Sequence, residues 1–211
     1  MKISRLIFLN KLYSIKFLLK KINNVRIFKK AFFKIGKEAI VNGGGLLVIN
    51  SNYKRMGHQS SSFILMHNSQ LNIKGEFDLF YGADIQVFPK AVLSLGSGYS
   101  NINLMIRCNK SITIGNNVMI AHNVTIFDSN FHEFTINGKK KEKDAGVVIE
   151  DGVWIGANTV ILKGVTIGKG AIIGAGSLVR DSIPEHCLAC GNPCKVISTN
   201  VSIKEKYGDF K

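Results

Sequence analysis

The sequence lacks any uninterrupted apolar run approaching the ~20 residues needed to cross a bilayer as a helix, so no spanning helix is expected. It also lacks a clean signal-peptide core and cleavage site, because Lys11 interrupts the candidate run. Cysteine is scarce, with four residues at 108, 187, 190 and 194. Without a secretion signal these read as reduced thiols in a cytoplasmic protein, and the Cys187-x-x-Cys190 spacing with Cys194 is not taken as a zinc or redox site. Acidic residues are absent from positions 1–37, which hold eleven Lys/Arg. The other 17 basic residues face 14 acidic ones, so the formal net charge of +14 belongs to the N-terminal segment and the body is nearly balanced. No basic-aromatic motif occurs elsewhere, which argues against nucleic-acid binding. A regular threonine ladder is missing, which argues against an ice-binding or scaffold solenoid. The three-histidine zinc arrangement of a γ-type carbonic anhydrase is missing too, since His122 and His132 stand ten residues apart with no close pair across coils.

What remains in residues 1–37 is basic and rich in Phe, Leu and Ile, with lysines every few positions. That pattern predicts an amphipathic helical segment over 1–40. It serves as a cap on the body, as a peripheral contact with an anionic membrane surface, or as both.

The body carries a six-residue repeat. Ile149, Ile155, Ile161, Ile167, Ile173 and Val179 occupy one phase, and Val153, Thr159, Val165, Ala171, Ser177 and Ile183 the phase four residues later. Gly156, Gly168 and Gly174 follow directly after aliphatic members. A period of six does not match the 3.6-residue helix. It suits a solenoid of short strands, in which the chain bends sharply after each and the aliphatics stack into one core. A second run holds Ile102, Cys108, Ile114, Ile120 and Ile126, with Ile106, Ile112, Val118 and Val124 in the other phase. From Leu71 to Leu95 the pattern loosens: Ile73, Leu79 and Ile85 keep the spacing while Phe77, Phe80, Phe88 and Pro89 disturb it. The chain is expected to be one all-β domain over 41–197 with a short tail over 198–211, and the hexads are interrupted by a polar loop over 128–147.

These hexads resemble those of the hexapeptide-repeat acyltransferases. Asp128-Ser-Asn-Phe-His132, Val153-Trp-Ile-Gly-Ala157 and Gly191-Asn-Pro-Cys-Lys195 match, in order and spacing, the branch of maltose, galactoside and polysaccharide O-acetyltransferases. The similarity covers roughly residues 70–197, most of the domain. The resemblance implies a left-handed parallel β-helix with three strands and about 18 residues per coil. It also implies a homotrimer with active sites between subunits, and acetyl-CoA as donor to a sugar or glycan hydroxyl, without a metal.

It places the catalytic base at His132, on the loop that breaks the repeat. A sugar hydroxyl is a weak nucleophile, and a histidine near its ordinary pKa of about 6.5 suits the removal of its proton as it attacks a thioester. By the same resemblance the backbone N–H of Ala157 stabilises the tetrahedral oxyanion. Asn103 contacts the acceptor, and Asp128 orients His132 or binds acceptor hydroxyls. Trp154 and Gly156 wall the site. Gly174 and Ala175 leave room for the pantetheine arm, and Gly191, Asn192, Pro193 and Lys195 meet CoA, with Arg180 as a second cation near its phosphates. Transfer within a ternary complex needs no covalent intermediate, so Cys108 is read as a core thiol. Close variants are N-acetylation of a nucleotide-linked aminosugar and O-acetylation of serine.

Overall fold

A computed structural model describes residues 24–28, 30–50 and 59–204. Their strands stack into three sheets of nine, seven and six strands. Every pairing in them is parallel except the last in the first sheet, where Lys195–Thr199 turns back on Cys187–Cys190. Consecutive strands visit the sheets in rotation. In the coils that carry the site, Val118–Ile120 lies on the first face (A), Thr125–Phe127 on the second (B) and Val147–Ile149 on the third (C). The chain then returns to A with Trp154–Ile155. The body is therefore a three-sided prism whose edges are the A-to-B, B-to-C and C-to-A corners.

Both hexad phases point inward. Ile149, Ile155, Ile161, Ile167, Ile173 and Val179 are buried, and so are Val153, Thr159, Val165, Ala171, Ser177 and Ile183. The two hydroxyls among them satisfy themselves locally. Thr159 Oγ1 donates to Gly156 O at 2.7 Å and Ser177 Oγ to Gly174 O at 2.5 Å, each three residues back in its own corner. Successive coils stack at the ~4.8 Å spacing of paired strands, so each aliphatic rests on its counterpart in the next coil.

Three expectations change. First, Val25–Ile27 and Ala31–Ile35 are strands, paired in parallel with Leu46–Ile49 and Ser61–Leu65, inside the stretch expected to be helical. Val25, Ala31 and Phe33 are buried, while Arg26 is exposed and Phe32 and Lys34 are half-buried. A lysine-punctuated apolar segment fits a half-buried strand of period two as well as a helix, and pairing with the next coil decides between them. The rest of the basic segment, residues 1–23, lies outside the described residues, and no helix among the described ones is long and apolar enough to cross a membrane. Second, Phe77 is no disturbance: it is fully buried in the inward place of Glu76–Leu79, in register with Gly98 of the next coil. Third, Ile102 is half-buried in a corner, and Ser100 and Leu104 take the inward places. The strand Met105–Cys108 has an extra inward step from Ile106 to Cys108, which shifts the phase before it.

Candidate active site

That extra inward step leads to the loop. In register, Leu65, Val87 and Cys108 form a buried apolar column on face B. Arg107 pairs with Phe127, so the residue stacked on Cys108 is Asp128, fully buried where the hexads stop. Its carboxylate accepts from the N–H of Asn109 at 2.7 Å and of Lys110 at 2.8 Å, which tie it to the corner one coil below. Burial pushes the Asp128 pKa up, against the pull of backbone donors from Asn109, Lys110 and Ser111. The Cys108 thiol beneath is likewise driven up by burial and by the Asp128 charge, and donates to Val92 O at 3.3 Å. It is a neutral core group and no nucleophile. Each Asp128 oxygen accepts from a backbone N–H, and these bonds anchor the start of the loop.

A neck follows. Ser129 Oγ donates to Asp144 Oδ1 at 2.5 Å, Asn130 N–H to Lys143 O at 2.9 Å and Ala145 N–H to Asp128 O at 2.9 Å. Burial raises the Asp144 pKa, but hydrogen bonds from Ser129 and Asn109 and the charge of Lys143 outweigh it and hold the carboxyl below its ordinary range. Beyond the neck the chain turns tightly: Phe131 has φ 60°, Ser129 Oγ accepts from its N–H, and the His132 N–H reaches back to Asn130 O at 2.7 Å. The Phe131 ring packs on Phe88 with centroids 5.3 Å apart, which lays the turn against the B-to-C edge two coils below. His132 is left exposed at that edge.

The other expected site residues gather on the A-to-B edge, except Arg180, which follows Leu178–Val179 on face B and belongs to the B-to-C corner. Ala157 is half-buried in the corner between Trp154–Ile155 and Val160–Ile161, followed by Asn158 at φ 57°. Among the described residues its N–H meets no acceptor, while Gly156 N–H and Asn158 N–H are paired to Ile173 O and His122 O. Gly156 is required here, because a Cβ would lie 2.6 Å from the Ala175 nitrogen. Gly174 meets the Cys190 side chain in the same way, at 2.6 Å. Ala175 and Gly176 continue the edge, exposed. The segment from Gly191 to Lys195 closes over its end: Leu178 N–H donates to Gly191 O at 3.0 Å and Cys194 N–H to Leu178 O at 2.8 Å. Asn192 and Pro193 are exposed between them. Lys195 and Arg180 converge on Asp181, at 3.4 and 3.6 Å. Trp154 projects from face A beside this edge, 45% exposed, in register between Met119 and Ile172.

Asn103 stands on the same edge two coils earlier. Its side chain donates to Asn123 Oδ1 at 2.9 Å, and Asn123 in turn to Asn158 Oδ1 at 3.0 Å. All three have positive φ, a conformation that asparagine tolerates. His122, weighed in the sequence but given no role, is exposed one coil below Ala157.

Residues 146–181 match the family model described as bacterial transferase hexapeptide (six repeats). The chain is 39% identical over 140 residues to the galactoside O-acetyltransferase of Escherichia coli (strain K12), covering 62% of this chain and 68% of that protein. The chain belongs to the hexapeptide-repeat acetyltransferases. This acyltransferase is also 43% identical over 104 residues to the galactoside O-acetyltransferase of Lactococcus lactis, and there it spans half of the relative's length. In fold the enzyme is similar to the polySia-specific acetyltransferase NeuO, with a TM-score of 0.56 and 24% identity over 86% of this chain and 88% of that one.

Proposed function

We propose that the enzyme transfers the acetyl group of acetyl-CoA to a hydroxyl of a sugar or polysaccharide precursor, at a site completed between two copies of the chain in a homotrimer of left-handed coils. The observation that carries the reading is that the two halves of the chemistry lie on different edges. His132 projects at the B-to-C edge, and the free N–H of Ala157 faces out at the A-to-B edge. When the B-to-C edge of each copy meets the A-to-B edge of the next, three copies close a ring with face B turned inward. Met105, Thr125, Val160 and Leu178, which follow one another in register on the outside of that face, then meet across the axis.

In the joint site His132 of one copy takes the proton of the acceptor hydroxyl as its oxygen attacks the thioester carbonyl. The N–H of Ala157 in the neighbour stabilises the oxyanion. Its collapse expels the CoA thiolate, which recovers a proton from the imidazolium. The open backbone of Gly156, Gly174, Ala175 and Gly191 gives the pantetheine arm a path, Trp154 walls it, and Lys195 and Arg180 exchange Asp181 for CoA phosphate. Asn103 lies two coils from Ala157, on the side where the acceptor enters. The enzyme works in the cytoplasm, and residues 1–23 supply any contact with the inner membrane face.

The test is an acceptor screen by CoA-thiol release, followed by subunit mixing. His132→Ala and Ala157→Pro homotrimers are each expected to be inactive. Co-expressed in equal amounts they should recover about a quarter of the wild-type activity, since a random quarter of the joint sites hold both intact halves. A fully active monomer in sedimentation, or no recovery on mixing, would overturn the shared site.

A further inference from the structure

We propose that the acceptor is an anionic glycan, and that one face of the hairpin beyond His132 recognises it. The inference rests on the reading that this loop carries the transfer site. Thr135–Ile136 pairs antiparallel with Lys139–Lys140 across Asn137-Gly138, both at positive φ (49° and 73°), as a tight two-residue hairpin turn demands. Directly opposed residues share a face, and successive residues alternate. Ile136 opposes Lys139, and Lys141 N–H donates to Phe134 O at 3.0 Å. Phe134, Ile136, Lys139 and Lys141 therefore form one face, and Thr135 and Lys140 the other.

The two faces differ in charge and polarity. On the second, Lys140 is neutralised by Glu133 at 2.9 Å. On the first, Lys139 and Lys141 have no carboxylate partner among the described residues, and Phe134 and Ile136 are 44% and 50% exposed. An aromatic face carries negative potential and attracts the polarised C–H face of a sugar ring. Two ammonium groups held beside apolar side chains repel each other, and a carboxylate or phosphate between them relieves that repulsion. A neutral sugar would satisfy the ring and leave the lysines as they are. The face stands at the loop tip, two residues beyond His132, where an acceptor held by it presents a hydroxyl to the base.

The test uses the full-length enzyme with oligogalacturonates and maltooligosaccharides of matched length, binding being measured by calorimetry at low and raised salt. The wild type is expected to prefer the acidic series by tenfold or more. The preference should fall towards unity in Lys139→Ala/Lys141→Ala and at raised salt. It should persist in Lys140→Ala, whose lysine lies on the other face. Phe134→Ala should weaken both series alike. All substitutions are at exposed positions, and unchanged melting confirms the fold. No preference in the wild type, or one that survives loss of both lysines, overturns the inference. CoA-thiol release is followed on the same samples: turnover without preference refutes the anionic acceptor alone, and preference without turnover on any acceptor refutes the transferase site instead.

Discussion

The two working edges of the prism are built from opposite materials. The upper A-to-B edge is mostly backbone: Gly156, Ala157, Gly174, Ala175 and Gly176 turn within the 18-residue spacing of the coils, from Ile155 to Ile173, and the N–H groups of Ala157 and Ala175 meet no acceptor among the described residues. The B-to-C edge abandons the repeat for one long loop, and what it exposes there are side chains, His132 among them. The cost falls where the materials change. Asp128, a carboxylate on top of the column of Leu65, Val87 and Cys108, must be paired with backbone donors to sit there at all. A stacked solenoid supplies fixed dipoles at no extra cost, and the histidine its coils offer beside Ala157 is His122. His132 comes instead from an insertion, which is tied back to the core. Among the described residues the same free N–H recurs at His122 and Ala175, and Ala157 differs from them in standing beside Trp154.

If the edges divide the work in this way, His132→Ala should give the largest effect. A drop in kcat of on the order of 10²–10⁴ is expected, with the fold and CoA binding retained. Near-wild-type turnover would place the base elsewhere, and His122→Ala, expected to be nearly silent, is the control for that alternative. Ala157→Pro tests the backbone edge without touching a side chain. Proline suits the position before the positive-φ Asn158 and removes only an unpaired N–H, so melting should hold while kcat falls roughly 10²–10³-fold. A rise in KM with kcat unchanged would remove the oxyanion role.

The tie between the edges and the core is sharpened by Asp128→Ala. It frees the N–H groups of Asn109 and Lys110 and should cost about 1–3 kcal/mol in denaturant unfolding, with activity falling as the loop loosens. Asp144 gives the pH signature of the neck. Its folded pKa is depressed, so its contribution is present above the unfolded value and lost as pH falls through the lower folded one. Asp144→Asn should lower the melting temperature at pH 6, and the difference from wild type should shrink as acidification passes below the ordinary carboxylate range. A difference that persists in acid would mean that Asp144 acts by shape alone. Asp128 has the opposite sign: its raised pKa means that acidification through that value relieves a burial cost. The smallest effect belongs to Ser100, whose buried hydroxyl, between Leu79 and Ile120, has no hydrogen-bond partner among the described residues. Ser100→Ala should stabilise by about 1 kcal/mol, with activity unchanged.

The C-terminal coils are legible in the sequence itself, since each inward slot from Ile149 to Ile183 follows from a six-residue count. The loop and His132 are legible as the place where that count fails. The N-terminal strands are not, because lysines between apolar residues satisfy the helical and extended periods alike over five residues. Phe77 is illegible for a related reason: its inward place is fixed by register with a strand 21 residues later, and no local pattern reports a partner at that distance. The sequence alone determined the solenoid, since period and inward volume are properties of the chain in order. The tertiary structure decided what Asp128 and Asn103 hydrogen-bond to, which edges His132 and Ala157 occupy, and which lysines of the hairpin remain without a carboxylate partner among the described residues. Those depend on contacts between coils and across the turn of a hairpin, where distance in space has no fixed relation to distance along the chain.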